Sequence, residues 1–192
     1  MLEDIIISKT RIKLLELFLT APGKIFHVRD LVRKINEEIN AVRRELAHLE
    51  KKGIVSKEPR GNRLYYAMRR DWPLYFNLME IFVKTKGLGH EILKNRQKLG
   101  KIKYSSFSSR FARRLPKTDP EQVDVLIVGE VVLPELALLV RAEEAKRGEE
   151  INYTVMTEEE FSFRKKRNDP FIVSILSGAR VMIIGDEEEL LH

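Results

Sequence analysis

Residues 38–55 read EINAVRRELAHLEKKGIV, and this stretch decides the fold of the first part of the chain. Three apolar side chains recur at i, i+4 and i+7, a spacing that puts them on one side of a helix over about residues 40–52. They are Val42, Leu46 and Leu49. Gly53 follows as the expected left-handed residue that ends the helix. The sequence therefore predicts an amphipathic helix whose apolar side faces a core.

The opposite side of this helix is polar and basic. Arginine can pair with guanine O6 and N7 and asparagine with adenine N6 and N7, while lysines further along suit phosphates. An exposed helix side of this kind is typical of major-groove reading. We interpret His48 as a surface neighbour of this side. The candidate DNA-binding residues here are Asn40, Arg43, Arg44, Ala47, His48 and Lys51.

Two further helices are predicted before this one. The first is capped by Ser8 or Thr10 and ended by Pro22-Gly23. A short strand over residues 24–27 leads into a second helix over residues 28–35, and Asn36-Glu37-Glu38 forms a tight polar break.

A hairpin is predicted after the basic helix. Extended stretches over residues 54–59 and 63–68 are joined by a turn with glycine and asparagine, which favour tight turns. Cationic side chains at such a tip suit the DNA backbone or the minor groove. The candidate DNA-binding residues of the tip are Arg60, Gly61, Asn62 and Arg63.

Helix, helix, basic helix and hairpin is the element order of a winged helix-turn-helix. Residues 38–55 also resemble the recognition helix of ArsR-type and related winged-helix regulators, and the resemblance covers about sixty residues. It implies a fold and binding of double-stranded DNA, often as a homodimer, but no operator sequence. The alternative is a solvated basic helix followed by an ordinary hairpin.

Composition limits the class of protein. The chain has 192 residues and no cysteine, which excludes disulfides and thiolate metal sites. The histidines at 27, 48, 90 and 192 have no ligand spacing, so we expect no metal. The acidic start Met1-Leu2-Glu3-Asp4 does not resemble a signal peptide, and no apolar run reaches membrane-span length. A cytoplasmic protein without membrane association is expected.

Charge is distributed unevenly along the chain. Residues 1–115 hold 26 Lys and Arg against 12 Asp and Glu, whereas residues 116–192 hold 9 against 17. Only the first part would attract a polyanion. The asymmetry predicts two domains with different roles.

A connector is predicted over residues 71–89. Trp72-Pro73 is expected to open a helix with proline in its first turn, and the following residues are apolar around most of the helix. Packing against either domain or against a second subunit would explain this composition. Gly87-Leu88-Gly89 is expected to end the connector.

The rest of the chain predicts a small α/β domain with a mixed sheet. Helices and strands alternate, with strands expected over residues 102–107, 123–128, 151–156 and 181–184. Helices are expected over residues 90–99, 134–147, 157–166 and 169–177, and an acidic tail follows.

This second part resembles the minimal nucleotidyltransferase domain of the DNA polymerase β superfamily over about residues 99–185. The resemblance is carried by FAR at 111–113, VDVLIVG at 123–129, EINY at 150–153, residues 157–161 and residues 181–185. Proteins that join a winged helix to such a domain are a known prokaryotic arrangement. Active members hold two Mg²⁺ ions with an Asp-x-Asp pair and a third acid, and contact the triphosphate with a Gly-Ser turn.

The sequence departs from that pattern at each of these points. Aligned on Asp124, the Gly-Ser pair falls on Ser109-Arg110, the first Asp on Gln122 and the third acid on Asn152. Glu121 is a poor substitute, because on a strand it would point to the opposite face. We therefore expect Asp124 to be the remnant of a metal site, with no catalytic residue, no cofactor and no enzymatic activity.

Two basic clusters lie in the second part. Lys101, Lys103, Arg110, Arg113 and Arg114 are either a solvated surface, an extension of the DNA footprint, or a pocket for a nucleotide or other phosphate effector. Arg110, Arg113 and Arg114 are the candidate phosphate-binding residues. The run at residues 164–167 is a solvated helix face or a DNA phosphate contact.

The sequence as a whole predicts an α+β protein with two domains: a winged helix over residues 1–70 and a nucleotidyltransferase-like domain over residues 90–192. The expected function is sequence-specific binding of double-stranded DNA as a homodimeric transcriptional regulator. The inactive second domain would serve assembly or effector sensing. The competing hypothesis is an active Mg²⁺-dependent nucleotidyltransferase targeted by its winged helix. A third is a nucleoid-type binder with little sequence preference.

Overall fold

The computed structural model describes residues 6–192, so the acidic start Met1–Asp4 lies outside the described residues. The chain is a mixed α+β protein that divides into two compact units, one ending at Phe82 and the other beginning at Val83. This division falls inside the connector predicted over residues 71–89. No helix among residues 6–192 is long and apolar enough to cross a bilayer.

The first unit contains three helices and a small antiparallel sheet. Strand β3 is the centre of this sheet, with β1 on one side and β2 on the other. The predicted order of elements is confirmed, with bounds that shift by two residues or fewer. The elements are α1 (Lys9–Thr20), β1 (Phe26–His27), α2 (Val28–Ile35), α3 (Ile39–Lys51), β2 (Val55–Arg60) and β3 (Arg63–Met68).

Local sequence explains where these elements begin and end. The Ser8 hydroxyl accepts a hydrogen bond from the Arg11 N–H and caps α1. Asn36 takes a left-handed conformation (φ 50°) and ends α2, which confirms the predicted polar break. Gly61 forms the hairpin turn at φ 55°, a conformation that glycine adopts without steric cost.

Helix α4 (Tyr75–Thr85) begins later than the predicted opening at Trp72-Pro73. The Tyr75 N–H donates to the Trp72 carbonyl at 2.9 Å, so residues 72–75 form a tight turn before the helix starts. Tyr75, Met79 and Phe82 are the buried residues of α4, at i, i+4 and i+7.

The second unit contains a four-stranded mixed sheet, which confirms that prediction. The strand order is β6-β5-β4-β7; β5 and β6 are parallel, and β4 is antiparallel to both of its neighbours. The strands are β4 (Gly100–Ser108), β5 (Val125–Val131), β6 (Tyr153–Met156) and β7 (Arg180–Ile184).

Helices surround this sheet. Side chains from α9, α10 and α11 enter one core cluster with Leu126 and Val128 of β5. Helix α8 packs against α5 and α6. The helices are α5 (Gly87–Lys94), α6 (Arg96–Leu99), α7 (Ser109–Ala112), α8 (Leu133–Arg147), α9 (Glu158–Lys166), α10 (Pro170–Ser177) and α11 (Glu187–Leu191).

Several predictions for this unit were wrong in detail. Gly87-Leu88-Gly89 begins helix α5 instead of forming a boundary, because Leu88 is buried and Gly89 lies against the Val83 carbonyl. The helix predicted over residues 90–99 breaks at Asn95 into α5 and α6. Strand β5 begins at Val125 rather than residue 123, and α7 and α11 were not predicted.

Candidate functional site

Helix α3 presents the polar side that the sequence predicts. Val42, Leu46 and Leu49 are fully buried, so the opposite side of the helix faces solvent. The six candidate residues on it are all exposed: Asn40, Arg43, Arg44, Ala47, His48 and Lys51. This exposed side is therefore free of the core and available to a large ligand.

Glu45 anchors α3 to the start of α1 and was not singled out from the sequence. Its carboxylate accepts hydrogen bonds from the Ser8 hydroxyl and from Arg11 Nε, both at 2.8 Å. Burial by itself raises the pKa of Glu45, but the hydrogen bonds from Ser8 and Arg11 outweigh it, and the pKa is lowered from 4.5. This contact fixes the orientation of the exposed side of α3.

The N-terminus of α3 is closed to anions. The Glu38 carboxylate accepts hydrogen bonds from the N–H groups of Asn40 (2.7 Å) and Ala41 (3.0 Å). A capping carboxylate occupies the place where a phosphate could otherwise meet bare N–H groups. Anion binding on this helix must therefore come from its arginine and lysine side chains.

The hairpin tip carries two arginines, and Arg60 is held by neighbouring side chains of the hairpin. Arg60 and Arg63 are directly paired across β2 and β3. Arg60 binds both oxygens of Glu58, at 2.8 and 3.0 Å, and its guanidinium carbon lies 5.1 Å from the centre of the Tyr65 ring. The hydrogen bond from Arg60 lowers the pKa of Glu58, so this carboxylate stays ionised beside it.

A groove of about 840 Å³ lies between α2, α3 and the hairpin. Among its described lining residues four are arginines and one, Asp30, is acidic. Asp30 is paired with one of those arginines on the same helix. The arginines are Arg29, Arg33, Arg43 and Arg63. The structure thus brings two predicted site residues, Arg43 and Arg63, to one cationic groove.

Arg29 and Arg33 are groove residues that sequence reasoning missed. The buried residues of α2 are Val28, Leu31 and Ile35, and its exposed side was not predicted to bind DNA. The i, i+4 spacing of Arg29 and Arg33 places them on one side of the helix and is the signal that could have identified them. Gly61 and Asn62 are exposed at the hairpin tip, and Asn62 also lines the groove.

In the second unit Asp124 is the centre of a buried ion cluster. Its side chain is 0% exposed and forms an ion pair with Arg110. Lys117 Nζ lies 3.2 Å from Oδ2, and the Asn152 N–H donates to Oδ2 at 3.0 Å. Both carboxylate oxygens are thus bound by groups of the protein.

The guanidinium of Arg110, like the carboxylate of Asp124, has its hydrogen-bonding groups bound within the unit. Besides binding Asp124, Arg110 donates from Nε to the Gln122 side chain at 2.8 Å and from Nη1 to the Leu115 carbonyl at 3.1 Å. All three guanidinium nitrogens therefore have partners within the unit. The basic charge at residue 110 is internal and compensated.

These residues do not fit the Mg²⁺ site that the nucleotidyltransferase resemblance implies. Such a site needs several carboxylate oxygens open to the cation, whereas the two of Asp124 face an arginine and a lysine. The Asn152 amide donates to the Pro120 and Gln122 carbonyls and supplies no anion. Within residues 6–192, no group of three or more His, Cys, Asp or Glu side chains could hold a metal ion.

The other basic candidates of this unit lie beside acidic or aromatic groups. Arg114 NH2 is 3.9 Å from the buried Glu143, which also binds Arg147 at 2.8 Å. Arg113 lines the cleft next to Arg110. In the run at residues 164–167, Arg164 pairs with Glu160 at 2.9 Å and Lys165 donates to the Leu190 carbonyl at 2.8 Å. The structure therefore gives Arg114, Arg164 and Lys165 partners within the unit.

Comparisons with known proteins supply no relative. No family model, no curated protein sequence and no solved structure matches this chain.

Proposed function

We propose that this chain binds double-stranded DNA sequence-specifically through α3 and the β2–β3 hairpin, and that it acts as a transcriptional regulator. The observation that carries the proposal is the exposed basic side of α3 beside a cationic groove that continues to the hairpin tip. A B-DNA major groove about 12 Å wide admits one α-helix. In this proposal α3 lies in the major groove and the hairpin follows the backbone.

The order of elements supports a winged-helix assignment for the first unit. Three helices precede the hairpin, and β1 between α1 and α2 pairs with β3, the second strand of the hairpin. The edge strand of the hairpin, β2, packs against α3. Base contacts would come from Asn40 and Arg43, and phosphate contacts from the lysines and arginines around them.

We assign the second unit a non-catalytic role in assembly or effector sensing. The internal neutralisation of Asp124 by Arg110 and Lys117 supports this, because the carboxylate that would bind a metal is already saturated. A homodimer would read two half-sites about 34 Å apart, one turn of the duplex.

Selection of bound duplexes from a random pool tests the function directly. We expect one recurring site, with palindromic halves if the regulator is a dimer. Recovery of sequences without any common site would contradict sequence-specific binding and favour a general binder.

The selected site then permits a test of α3. We expect Arg43→Ala to reduce discrimination against a mismatched base by about 1–3 kcal/mol. The matched control is Lys34→Ala, an exposed cation of α2 that does not line the groove. Unchanged discrimination in Arg43→Ala would show that α3 is not the reading helix.

A further inference from the structure

The geometry points to a second contact within the proposed DNA interface: the groove between α2, α3 and the hairpin binds one phosphodiester strand of the duplex. Arg29 and Arg63 are the phosphate ligands on its two sides, and Arg63, not Arg60, is the contact of the hairpin. This inference rests on the proposed function and assigns a DNA-binding role to α2, none of whose residues is a candidate from the sequence.

The charge of the groove favours a polyanion. Arg29, Arg43 and Arg63 line it together with Arg33, while Asp30 is the one acid among its described lining residues. Asp30 is already paired with Arg33, so the other three cations determine the charge of the groove. Clustered arginines bind phosphates well, because the planar guanidinium group can donate two hydrogen bonds to phosphate oxygens.

The position of the groove next to α3 indicates which DNA strand it binds: the phosphodiester strand that borders the major groove entered by α3. Arg43 belongs both to the exposed side of α3 and to the wall of the groove. A backbone bordering the major groove that α3 enters would therefore pass directly into this groove. Arg29 approaches it from α2 and Arg63 from the hairpin.

The floor of the groove holds polar rings. His27 and Tyr65 are paired across β1 and β3, and their ring centres are 5.5 Å apart. Both side chains can donate hydrogen bonds to phosphate or sugar oxygens. Flat rings could also stack on unpaired bases, so single-stranded DNA is the informative competitor.

The two hairpin arginines differ in the contacts that they must break before they can bind a phosphate. Arg60 is engaged by both oxygens of Glu58 and lies against Tyr65, and it does not line the groove. A phosphate would have to displace Glu58 before it could take Arg60. Arg63 lines the groove directly, so it can bind phosphate without that exchange.

The test measures binding of the full chain to its selected duplex over a range of salt concentrations. We expect Arg29→Gln and Arg63→Gln to weaken specific and non-specific duplexes alike. Each should reduce the steepness of the log–log salt dependence by about 0.9, the value for one lost phosphate contact. The matched control Lys34→Gln should leave the slope unchanged. Arg60→Gln should change it by much less than one contact, because Glu58 already binds its guanidinium. Circular dichroism establishes that every variant folds.

Failure of this inference can be told apart from failure of the proposed function. If Arg29→Gln and Arg63→Gln behave as Lys34→Gln does while Arg43→Ala still loses base discrimination, the groove assignment is overturned and the function stands. If single-stranded DNA of the same sequence competes as well as the duplex, the groove is a stacking site and the inference is wrong. If the wild-type chain binds no duplex, both are wrong.

Discussion

The Arg110 guanidinium binds the buried Asp124 carboxylate at the point where the nucleotidyltransferase resemblance would place a metal ion. Lys117 adds a second cation at 3.2 Å. The carboxylate is thereby neutralised by side chains of its own unit. Asp124, the candidate metal ligand, therefore belongs to a structural ion pair.

Removal of one partner of this pair should destabilise the second unit. Arg110→Ala leaves the buried Asp124 with Lys117 and the Asn152 N–H, both at Oδ2, and Asp124→Ala leaves Arg110 with only neutral partners. Breaking a buried pair on one side costs about 3–5 kcal/mol. Denaturant unfolding measures this loss, with the exposed Lys146→Ala as the control. A loss below about 1 kcal/mol, the range of exposed pairs, would contradict a structural role for Arg110.

Divalent metal should have no effect on this protein. Because both oxygens of Asp124 are engaged, we expect the melting temperature to be the same with Mg²⁺ and with a chelator. Incubation with Mg²⁺ and labelled ATP, GTP, CTP or UTP should give no transfer of a nucleotide. Turnover that disappears in an Asp124→Ala variant shown by circular dichroism to fold would reverse this conclusion and establish an active nucleotidyltransferase.

Glu45 should make the stability of the first unit depend on acid pH. Its pKa in the folded chain lies below 4.5, its ordinary value, so the folded state favours the ionised form. Its contribution is therefore fully present above about pH 4.5 and is lost as the pH falls through the folded pKa. Urea unfolding of wild type and Glu45→Gln across this range should show a difference that shrinks in acid. A constant difference would mean that the charge of Glu45 is not responsible.

Glu58 should limit the contribution of Arg60 to DNA binding. In Glu58→Gln the guanidinium of Arg60 loses its bidentate partner and becomes available to phosphate, so affinity for all duplexes should rise. Removal of a negative charge would itself raise affinity, and a double-mutant cycle with Arg60→Gln separates the two effects. The gain should be markedly smaller in the Arg60→Gln background. An equal gain in both backgrounds would show that Arg60 is not restrained by Glu58.

Much of the first unit follows from residues that are close in the chain. The buried and exposed sides of α3 follow from the 3.6-residue period, and the hairpin follows from Gly61-Asn62 between two extended stretches. The start of α4 was misplaced because residues 72–75 form a local turn that apolar periodicity does not reveal. The glycines at 87 and 89 were interpreted as a boundary, whereas Gly87 begins α5 at φ 61° and Gly89 packs closely against the Val83 carbonyl.

The sequence by itself determined the basic side of α3, the charged hairpin tip and the lack of an Asp-x-Asp pair at Asp124, since helix period, turn chemistry and residue identity are local properties. Only the tertiary structure decided which charges meet. Arg110 turned inward to Asp124, whereas Arg29, Arg43 and Arg63 converged on one groove from three separate elements. Such pairings depend on how distant segments pack, and packing is settled by burial and shape over the whole unit, which no local pattern encodes.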